Sequence, residues 1–202
     1  MIARTLWLCC GVLRAELEEL HRLGKIGGEL LFLDSMLHMV PPKLETTLTA
    51  TIERRGSDGG PVVLVYGDCC PRMLNLVRQY RVGRVNAVNC AQMLLGHARY
   101  RELMHEQAFL LLPEWTRRWK EIFRIELGLT EEVAHDLMRE NRRELVYLDT
   151  GLVPAPEEAL AACAAYTGLP VRIEHASLDP LLDLLLEAQA AATISSTLSE
   201  SS

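Results

Sequence analysis

The segment Pro61–Tyr66, with the sequence PVVLVY, decides the fold class of this chain. It is rich in β-branched side chains and carries no charge, which is typical of a strand buried on both faces. Such strands belong to parallel sheets, because the connecting helices of a parallel sheet cover both of its faces. The segment therefore predicts a parallel α/β protein.

Short apolar runs alternate with helix-periodic segments on both sides of this strand, which is the pattern of α/β architecture. The seven predicted strands are Thr5–Cys9, Glu29–Leu33, Pro61–Tyr66, Arg84–Val88, Ala108–Leu112, Glu144–Leu148 and Val171–Glu174. The predicted helices are Gly11–Arg22, Pro41–Arg55, Arg72–Gln79, Ala91–Arg101, Glu114–Glu126, Thr130–Arg142, Glu157–Thr167 and Leu178–Glu187. We predict an α/β fold in which one predominantly parallel, Rossmann-like sheet carries helices on both faces.

The spacing of apolar residues predicts which face of the first helix is buried and which faces solvent. Leu13, Leu17 and Leu20 recur at helical spacing and are predicted to form its apolar stripe. Three acidic residues of the same helix are predicted to lie outside that stripe and face solvent: Glu16, Glu18 and Glu19.

Length and composition set the broad class of protein. A chain of 202 residues suits one domain, predicted over residues 1–190, followed by a Ser-rich tail over 191–202 that is predicted to be disordered. The net charge of −6 argues against a nucleic-acid-binding face. No apolar run is long enough to span a membrane, and the amino terminus lacks the apolar core of a signal peptide, so we predict a cytoplasmic protein.

Cysteines carry the strongest chemical signal. Six cysteines in 202 residues are too sparse for a disulfide scaffold, so they indicate metal binding, thiol chemistry or simple core packing. Carboxyl ends of parallel strands meet at one edge of a sheet, where ligands bind. One histidine, His38, and five cysteines follow the predicted strands: Cys9, Cys10, Cys69, Cys70 and Cys90. The sixth, Cys163, lies inside a predicted helix and is explained by packing.

Thiolate and imidazole groups together suit zinc or another borderline-soft metal. The predicted metal ligands are His38, Cys69 and Cys90. Either Cys10 or Cys70 completes the set or acts as the reactive, catalytic thiol. Adjacent residues point to opposite sides, so one cysteine of each neighbouring pair is expected to face the site. A metal-free reactive thiol and inert buried cysteines remain as alternatives.

A series of short motifs then suggests a family. The motifs are Cys10–Leu13 (CGVL), Leu37-His38 with Pro42 four residues on, Val62–Cys69 (VVLVYGDC), Cys90 followed by Leu94-Leu95-Gly96 and Tyr100, Pro113 with Trp115, and Tyr147–Leu152 (YLDTGL). In this order they resemble an uncharacterised bacterial and archaeal family known only as domain of unknown function 1638. The likeness covers roughly Thr5 to Glu187.

The resemblance implies a conserved set of donors at Cys10, His38, Cys69 and Cys90. Members of the family often lie near corrinoid-dependent methyltransferases and their reactivating proteins. This association implies one-carbon or alkyl transfer, with a corrinoid reached only through a partner.

The sequence also departs from the family pattern at three places. Cys70 stands where the family usually has Gly, and Val85-Asn86 replaces a Pro-Arg pair. Asn89 replaces an Asp that directly precedes the cysteine. The departures remove an Arg that could bind an anion and an Asp that could support a ligand, while Cys70 offers a replacement ligand.

These inferences predict a zinc-dependent enzyme that acts on a small-molecule thiol or methyl donor. The metal would lower the pKa of a thiol and hold a thiolate ready for methyl transfer. Tyr66 and Trp115 are predicted to shape the pocket. The alternative is a metallochaperone or accessory protein that serves a larger partner metalloenzyme, and a third possibility is a structural subunit whose cysteines are only core.

Overall fold

The computed structural model describes residues 4–55 and 60–200, with side chains described as far as residue 193. The chain divides into two compact units, one formed by residues 1–93 and 178–202 and the other by residues 94–177. Compactness alone does not show that either unit folds independently. The single domain predicted over residues 1–190 therefore stays a prediction.

The first unit contains a four-stranded, all-parallel sheet. Its strands are β1 (Leu6–Cys10), β2 (Glu29–Leu33), β3 (Val62–Val65) and β4 (Gly83–Arg84), in the order β2-β1-β3-β4. Every residue of the two central strands, β1 and β3, is buried, as the uncharged sequence of β3 predicts. The bounds of β2 are those predicted, whereas β4 is shorter than predicted because the chain turns after Arg84, where the Ala87 amide donates to the Val85 carbonyl.

Four helices belong wholly to this unit. They are α1 (Arg14–Arg22), α2 (Pro41–Arg55), α3 (Met73–Tyr80) and α8 (Asp179–Glu200). A 3-10 turn over Gly11–Leu13 leads from β1 into α1. The bounds of α2 match the prediction, because proline is tolerated in the first turn of a helix.

The last helix, α8, is longer than the sequence predicted. Ala188 and Ala192 are buried, and a Cβ atom built on Gly83 would lie 2.7 Å from the carbonyl oxygen of Ala188. The helix therefore continues beyond the predicted end at Glu187, because its small residues pack against β4. α8 extends into the tail predicted over 191–202, and Ala192 within it is buried. Most of it lies outside the residues whose side chains are described, and its disorder stays a prediction.

The second unit contains a three-stranded, all-parallel sheet in the order β5-β6-β7. The strands are β5 (Ala108–Leu111), β6 (Glu144–Asp149) and β7 (Val171–His175). The helices are α5 (Pro113–Arg117), a π-helical segment (Glu121–Glu126), α6 (Glu131–Asn141) and α7 (Glu157–Thr167). Thr130 caps α6 by accepting from the Val133 amide at 3.3 Å, as its side chain predicts.

One helix, α4 (Cys90–His105), begins in the first unit and ends in the second. Gly96 interrupts it with φ 72° and ψ 170°, a conformation open to glycine and disfavoured for other residues. The sequence predicted an unbroken helix over Ala91–Arg101. The break is a local consequence of this glycine.

Both sheets are parallel and flanked by helices, so the predicted α/β, Rossmann-like class is confirmed. The prediction of one sheet was wrong, because the seven described strands form two separate ladders. Among the helices that the structure describes, none combines the length and apolar character that crossing a membrane requires.

Candidate functional site

The strand order of the first sheet locates the position where a ligand is expected. Successive strands are added on one side of β1 to give β2 and on the other side to give β3 and β4, so the order reverses between β1 and β3. In open parallel sheets, ligands bind outside the carboxyl ends of the strands at such a switch point. The residues there are Cys10, at the end of β1, and Cys69, in the loop after β3.

Close backbone packing holds the loops of this edge together. A Cβ atom on Gly67 would lie 2.3 Å from the Val88 carbonyl oxygen and 2.6 Å from the Asn89 nitrogen. The Asp68 amide donates to the same Val88 oxygen at 2.9 Å. Because only glycine permits this approach, the loop that carries Cys69 lies directly against the residues that precede Cys90.

A second glycine, Gly11, permits a similar close backbone contact on the other side of β1. A Cβ atom on Gly11 would lie 2.7 Å from the Leu33 carbonyl oxygen and 3.3 Å from the Ser35 nitrogen. Ser35 begins the 3-10 helix Ser35–Met39, which contains His38. The backbone after Cys10 therefore packs against the start of the segment that carries the predicted histidine ligand.

Three thiols meet at this edge, and we call Cys10, Cys69 and Cys90 the thiol cluster. The Cys10 and Cys90 thiols are hydrogen-bonded to each other, and both lie within electrostatic reach of Cys69. Their exposed fractions are 5%, 8% and 9% respectively. They come from the end of β1, the loop after β3 and the start of α4, so sequence spacing alone does not place them side by side.

Two thiols of the cluster, Cys69 and Cys90, are protonated at neutral pH. Burial, followed by the neighbouring Cys10, raises the pKa of Cys69 to about 12. The hydrogen bond with Cys10, followed by burial, raises the pKa of Cys90 well above its ordinary value. Cys90 is the first residue of α4, and a helix amino terminus normally lowers a thiol pKa. Burial and the adjacent acids outweigh that effect here.

Tyr66 closes one side of the cluster. Its exposed fraction is 2%, and its hydroxyl donates to the Cys9 carbonyl oxygen at 3.1 Å. Burial raises the pKa of Tyr66 most, followed by the nearby Cys10. The phenol therefore stays protonated, and a buried, uncharged side chain lies beside the thiols.

Most of the chain matches one protein family. Residues 32–185 match a family described as protein of unknown function (DUF1638). The chain belongs to this family. No curated protein and no solved structure matches it.

The DUF1638 match begins at residue 32, so it covers His38, Cys69 and Cys90 but not Cys10. The resemblance that extended back to Thr5 therefore stays a prediction for the first strand. Of the departures from the family pattern, Asn89 has a structural role. Its Oδ1 atom accepts from the Gln92 amide at 2.9 Å, which an aspartate at the same position could also do.

The other three cysteines have separate environments. Cys9 donates to the Trp7 carbonyl oxygen at 3.4 Å. Burial, followed by the charge of Glu45, raises the pKa of Cys70, and the Arg72 backbone partly opposes this. Cys69 thus faces the cluster, whereas Cys70 lies beside Glu45. The sixth thiol, Cys163, is buried within α7 of the second unit, where burial raises its pKa to about 11.

His38 lies half-buried in the 3-10 helix that follows β2, and Asp34 caps this helix by accepting from the Met36 amide at 2.9 Å. Burial lowers the pKa of His38, so its imidazole is neutral at neutral pH. A neutral imidazole is the form that binds metals. Its role as a ligand stays a prediction. Trp115 lies in α5 of the second unit, and its predicted role in shaping the pocket also stays a prediction.

Sequence analysis missed Glu16, which was wrongly assigned to the solvent face of the first helix. Its exposed fraction is 1%, and its charge acts on the Cys90 thiol. Position 16 is three residues after Leu13 and four before Leu20, so helical geometry includes it in the buried stripe. The periodicity therefore contained the signal, but the charge of the side chain concealed it.

The donor chemistry of this edge fits a thiophilic metal ion. Thiols, carboxylates and imidazoles are all donors that zinc accepts. Within residues 4–55 and 60–193, however, no three His, Cys, Asp or Glu side chains are already arranged to hold an ion. The residue types fit, whereas the described side chains do not form a coordination geometry.

Proposed function

We propose that the carboxyl edge of the first sheet binds a zinc ion through its thiols and acts on a small thiol or methyl donor. The observation that carries this proposal is the meeting of Cys10, Cys69 and Cys90 at the switch point of a parallel sheet. The proposal extends the expectation that the sequence raised for these residues.

The protonation state of the thiols favours a metal over a metal-free nucleophile. The thiolate is the reactive form of cysteine, and thiols with a raised pKa are poorly reactive near neutral pH. Each thiolate formed in the cluster would raise the pKa of the others, so charge is resisted unless a cation is present. A bound zinc ion would deprotonate its thiol ligands and keep a thiolate available for alkyl transfer.

The residues around the thiol cluster have separate roles in the proposed site. Gly67 and Gly11 hold the loops in contact, and Tyr66 excludes water from one side. His38 supplies a neutral imidazole from the neighbouring segment. Because the described side chains do not yet form a coordination shell, the proposal requires them to turn toward one point when the ion binds.

The test is metal content and metal binding of the whole chain purified without oxygen. We expect about one zinc ion per chain and, after chelation, a thiolate-to-metal charge-transfer band on addition of Co²⁺. Burial alone protects these thiols from reagents, so metal content and the band decide the question and thiol protection does not.

Matched variants separate the cluster from cysteines in general. Cys69→Ala is expected to remove the metal and the charge-transfer band, whereas Cys163→Ala changes a buried thiol of the second unit and is expected to keep both. Equal loss in both variants, or no metal and no band in the unaltered chain, would contradict the proposal.

The same preparation distinguishes an enzyme from a metal carrier. Turnover with a small thiol and a methyl donor that depends on Cys69 supports the enzyme. Zinc that leaves the cluster rapidly for a competing chelator, without turnover, favours a metallochaperone or accessory protein.

A further inference from the structure

Two thiols of the cluster, Cys10 and Cys90, differ from the other thiols of the first unit in what they bond to. Their side chains are hydrogen-bonded to each other, and both residues are buried. The other three thiols bond to backbone groups instead, which belong to Trp7 for Cys9, Gly67 for Cys69 and Arg72 for Cys70. A contact between two sulfur atoms therefore sets this pair apart.

Backbone packing brings the two residues together independently of their side chains. Cys10 is the last residue of β1, whose ladder with β3 reaches Cys9. Three residues after β3 ends, the Asp68 amide donates to the Val88 carbonyl oxygen at 2.9 Å, two residues before Cys90. The end of β3 and the loop after it therefore anchor the backbone of one cysteine through the sheet and that of the other through the loop.

We propose that Cys10 and Cys90 are a redox pair, which a low-molecular-weight disulfide oxidises to a disulfide bond between them. The inference goes beyond the proposed function, because it needs no metal ion. The substrate is a small disulfide, and the products are the oxidised chain and two small thiols.

The exchange proceeds in two balanced steps. One thiol of the pair gives up its proton, and its thiolate attacks a sulfur atom of the small disulfide. The S–S bond of the small disulfide breaks, a mixed disulfide forms, and one small thiolate leaves and takes up a proton. The second thiol of the pair then loses its proton and attacks the mixed disulfide, which releases the other small thiol. Two protein thiols are thus oxidised while one small disulfide is reduced to two thiols.

Burial makes the first step slow and the second step favourable. Both residues are buried, so the first attack requires local opening of the loops that carry them. Once one thiol carries the mixed disulfide, its partner lies beside it and needs no further encounter in solution. The internal disulfide should therefore accumulate, and the mixed disulfide should not.

The test oxidises the reduced, metal-free, full-length chain with glutathione disulfide, blocks free thiols by alkylation and locates the bonds by mass spectrometry. Cleavage after Lys and Arg separates the cysteines, since residues 5–14 hold Cys9 and Cys10, residues 56–72 hold Cys69 and Cys70, and residues 85–99 hold Cys90 alone. We expect the chain to lose two hydrogen atoms and to yield peptides 5–14 and 85–99 joined to each other. A reducing agent should separate them.

Variants distinguish Cys10 from Cys9, which share a peptide. In Cys10→Ser and in Cys90→Ser we expect the joined peptides to be lost and the remaining thiol of the pair to carry glutathione. Cys9→Ser is the matched control, because the Cys9 thiol donates to the Trp7 carbonyl oxygen and should not be needed for the bond. Thermal unfolding of the reduced variants shows whether each one folds. If Cys10→Ser does not fold, retention of the joined peptides in Cys9→Ser decides.

Three results would overturn the inference. The first is an unaltered chain that does not react or that yields only glutathione adducts. The second is peptide 85–99 joined to peptide 56–72 in place of peptide 5–14. The third is loss of the joined peptides in Cys9→Ser. Because the chain is free of metal throughout, each of these results leaves the Co²⁺ test of the zinc site unaffected.

Discussion

The two units of this protein handle ionisable groups in opposite ways. In the first unit, the thiol cluster lies buried at the carboxyl edge of a parallel sheet, and the charge of the buried Glu16 raises the pKa of Cys90. In the second unit, partly exposed groups of opposite charge are paired. Arg99 and Arg172 donate to the carboxylates of Glu174 and Glu144 at 2.5 to 3.0 Å.

The difference separates a candidate site from a structural network. The paired network is electrically satisfied without a ligand, and each of its acids is ionised beside an arginine. In the first unit, burial and the neighbouring Cys10 raise the pKa of Cys69 and Cys90, so these two thiols stay protonated at neutral pH. Buried acids that resist ionisation therefore mark a candidate site, whereas the many ion pairs of the second unit do not.

The largest expected effect is a loss of stability in the first unit, caused by a substitution that disturbs its backbone packing. In Gly67→Ala the new methyl group meets the Val88 carbonyl oxygen and the Asn89 nitrogen, neither of which can move without shifting the loop before Cys90. We expect the free energy of unfolding to fall by about 3 kcal/mol. Urea unfolding measures this loss, and the cluster thiols should react faster with a thiol reagent.

Gly27→Ala is the control for this prediction, because nothing lies within 4 Å of a Cβ atom at Gly27. It should change stability by less than about 0.5 kcal/mol. Similar losses in the two variants would show that the close approach at Gly67 does not hold the loops of the site.

The sequence predicts the features of the fold that depend on neighbouring residues, and it does not predict those that depend on contacts between distant segments. The bounds of β2 and α2 were predicted because apolar character and a proline at the helix start are local signals. The division into two sheets was not, since strand pairing depends on contacts between distant segments. The same holds for Gly67, whose need for glycine comes from a carbonyl about twenty residues away in sequence.

The same limit applies to the candidate site, where local signals were predicted from the sequence and side-chain directions were not. Sequence placed its cysteines after the strands, and the structure brings three of them together. It could not choose between Cys69 and Cys70, because side-chain direction depends on the exact end of the strand and the turn that follows. Glu16 was missed because the charge of a side chain was given more weight than its position on the helix.

The second prediction concerns alkaline pH and the thiols themselves. The pKa of Cys69 is raised from 9.0 to about 12, chiefly by burial. Its contribution to stability is therefore fully present below about pH 9 and is lost as pH rises toward 12. We expect a loss on the order of 2 kcal/mol over this range, since local opening admits water before the full shift is expressed.

Urea unfolding of the metal-free chain at a series of alkaline pH values measures this dependence. In Cys69→Ala the slope of stability against pH should be smaller, because one titrating thiol is gone. A slope identical to that of the unaltered chain would mean that Cys69 is not protected in the folded state.

The smallest effect is expected in the paired network, and acid pH reveals it. Glu174 accepts two hydrogen bonds from Arg99, at 2.6 and 2.8 Å, and one from Arg172. The Arg99 hydrogen bonds contribute most to lowering the pKa of Glu174 from 4.5 to about 2. Its contribution is therefore present above about pH 4.5 and lost as pH falls toward 2. At neutral pH, Glu174→Gln should lower stability by about 1 kcal/mol.

Glu106→Gln is the matched control, because Glu106 is 50% exposed and reaches Arg99 and Arg172 only at 3.8 and 3.7 Å. Long, exposed ion pairs contribute little, so this variant should stay close to the unaltered chain at every pH. Below about pH 2 the difference between Glu174→Gln and the unaltered chain should disappear, since both then carry a neutral group. A difference that persists there would mean that Glu174 acts through packing and not through its charge. The contrast between a network of paired charges and a region of buried thiols with raised pKa would then no longer hold for the second unit.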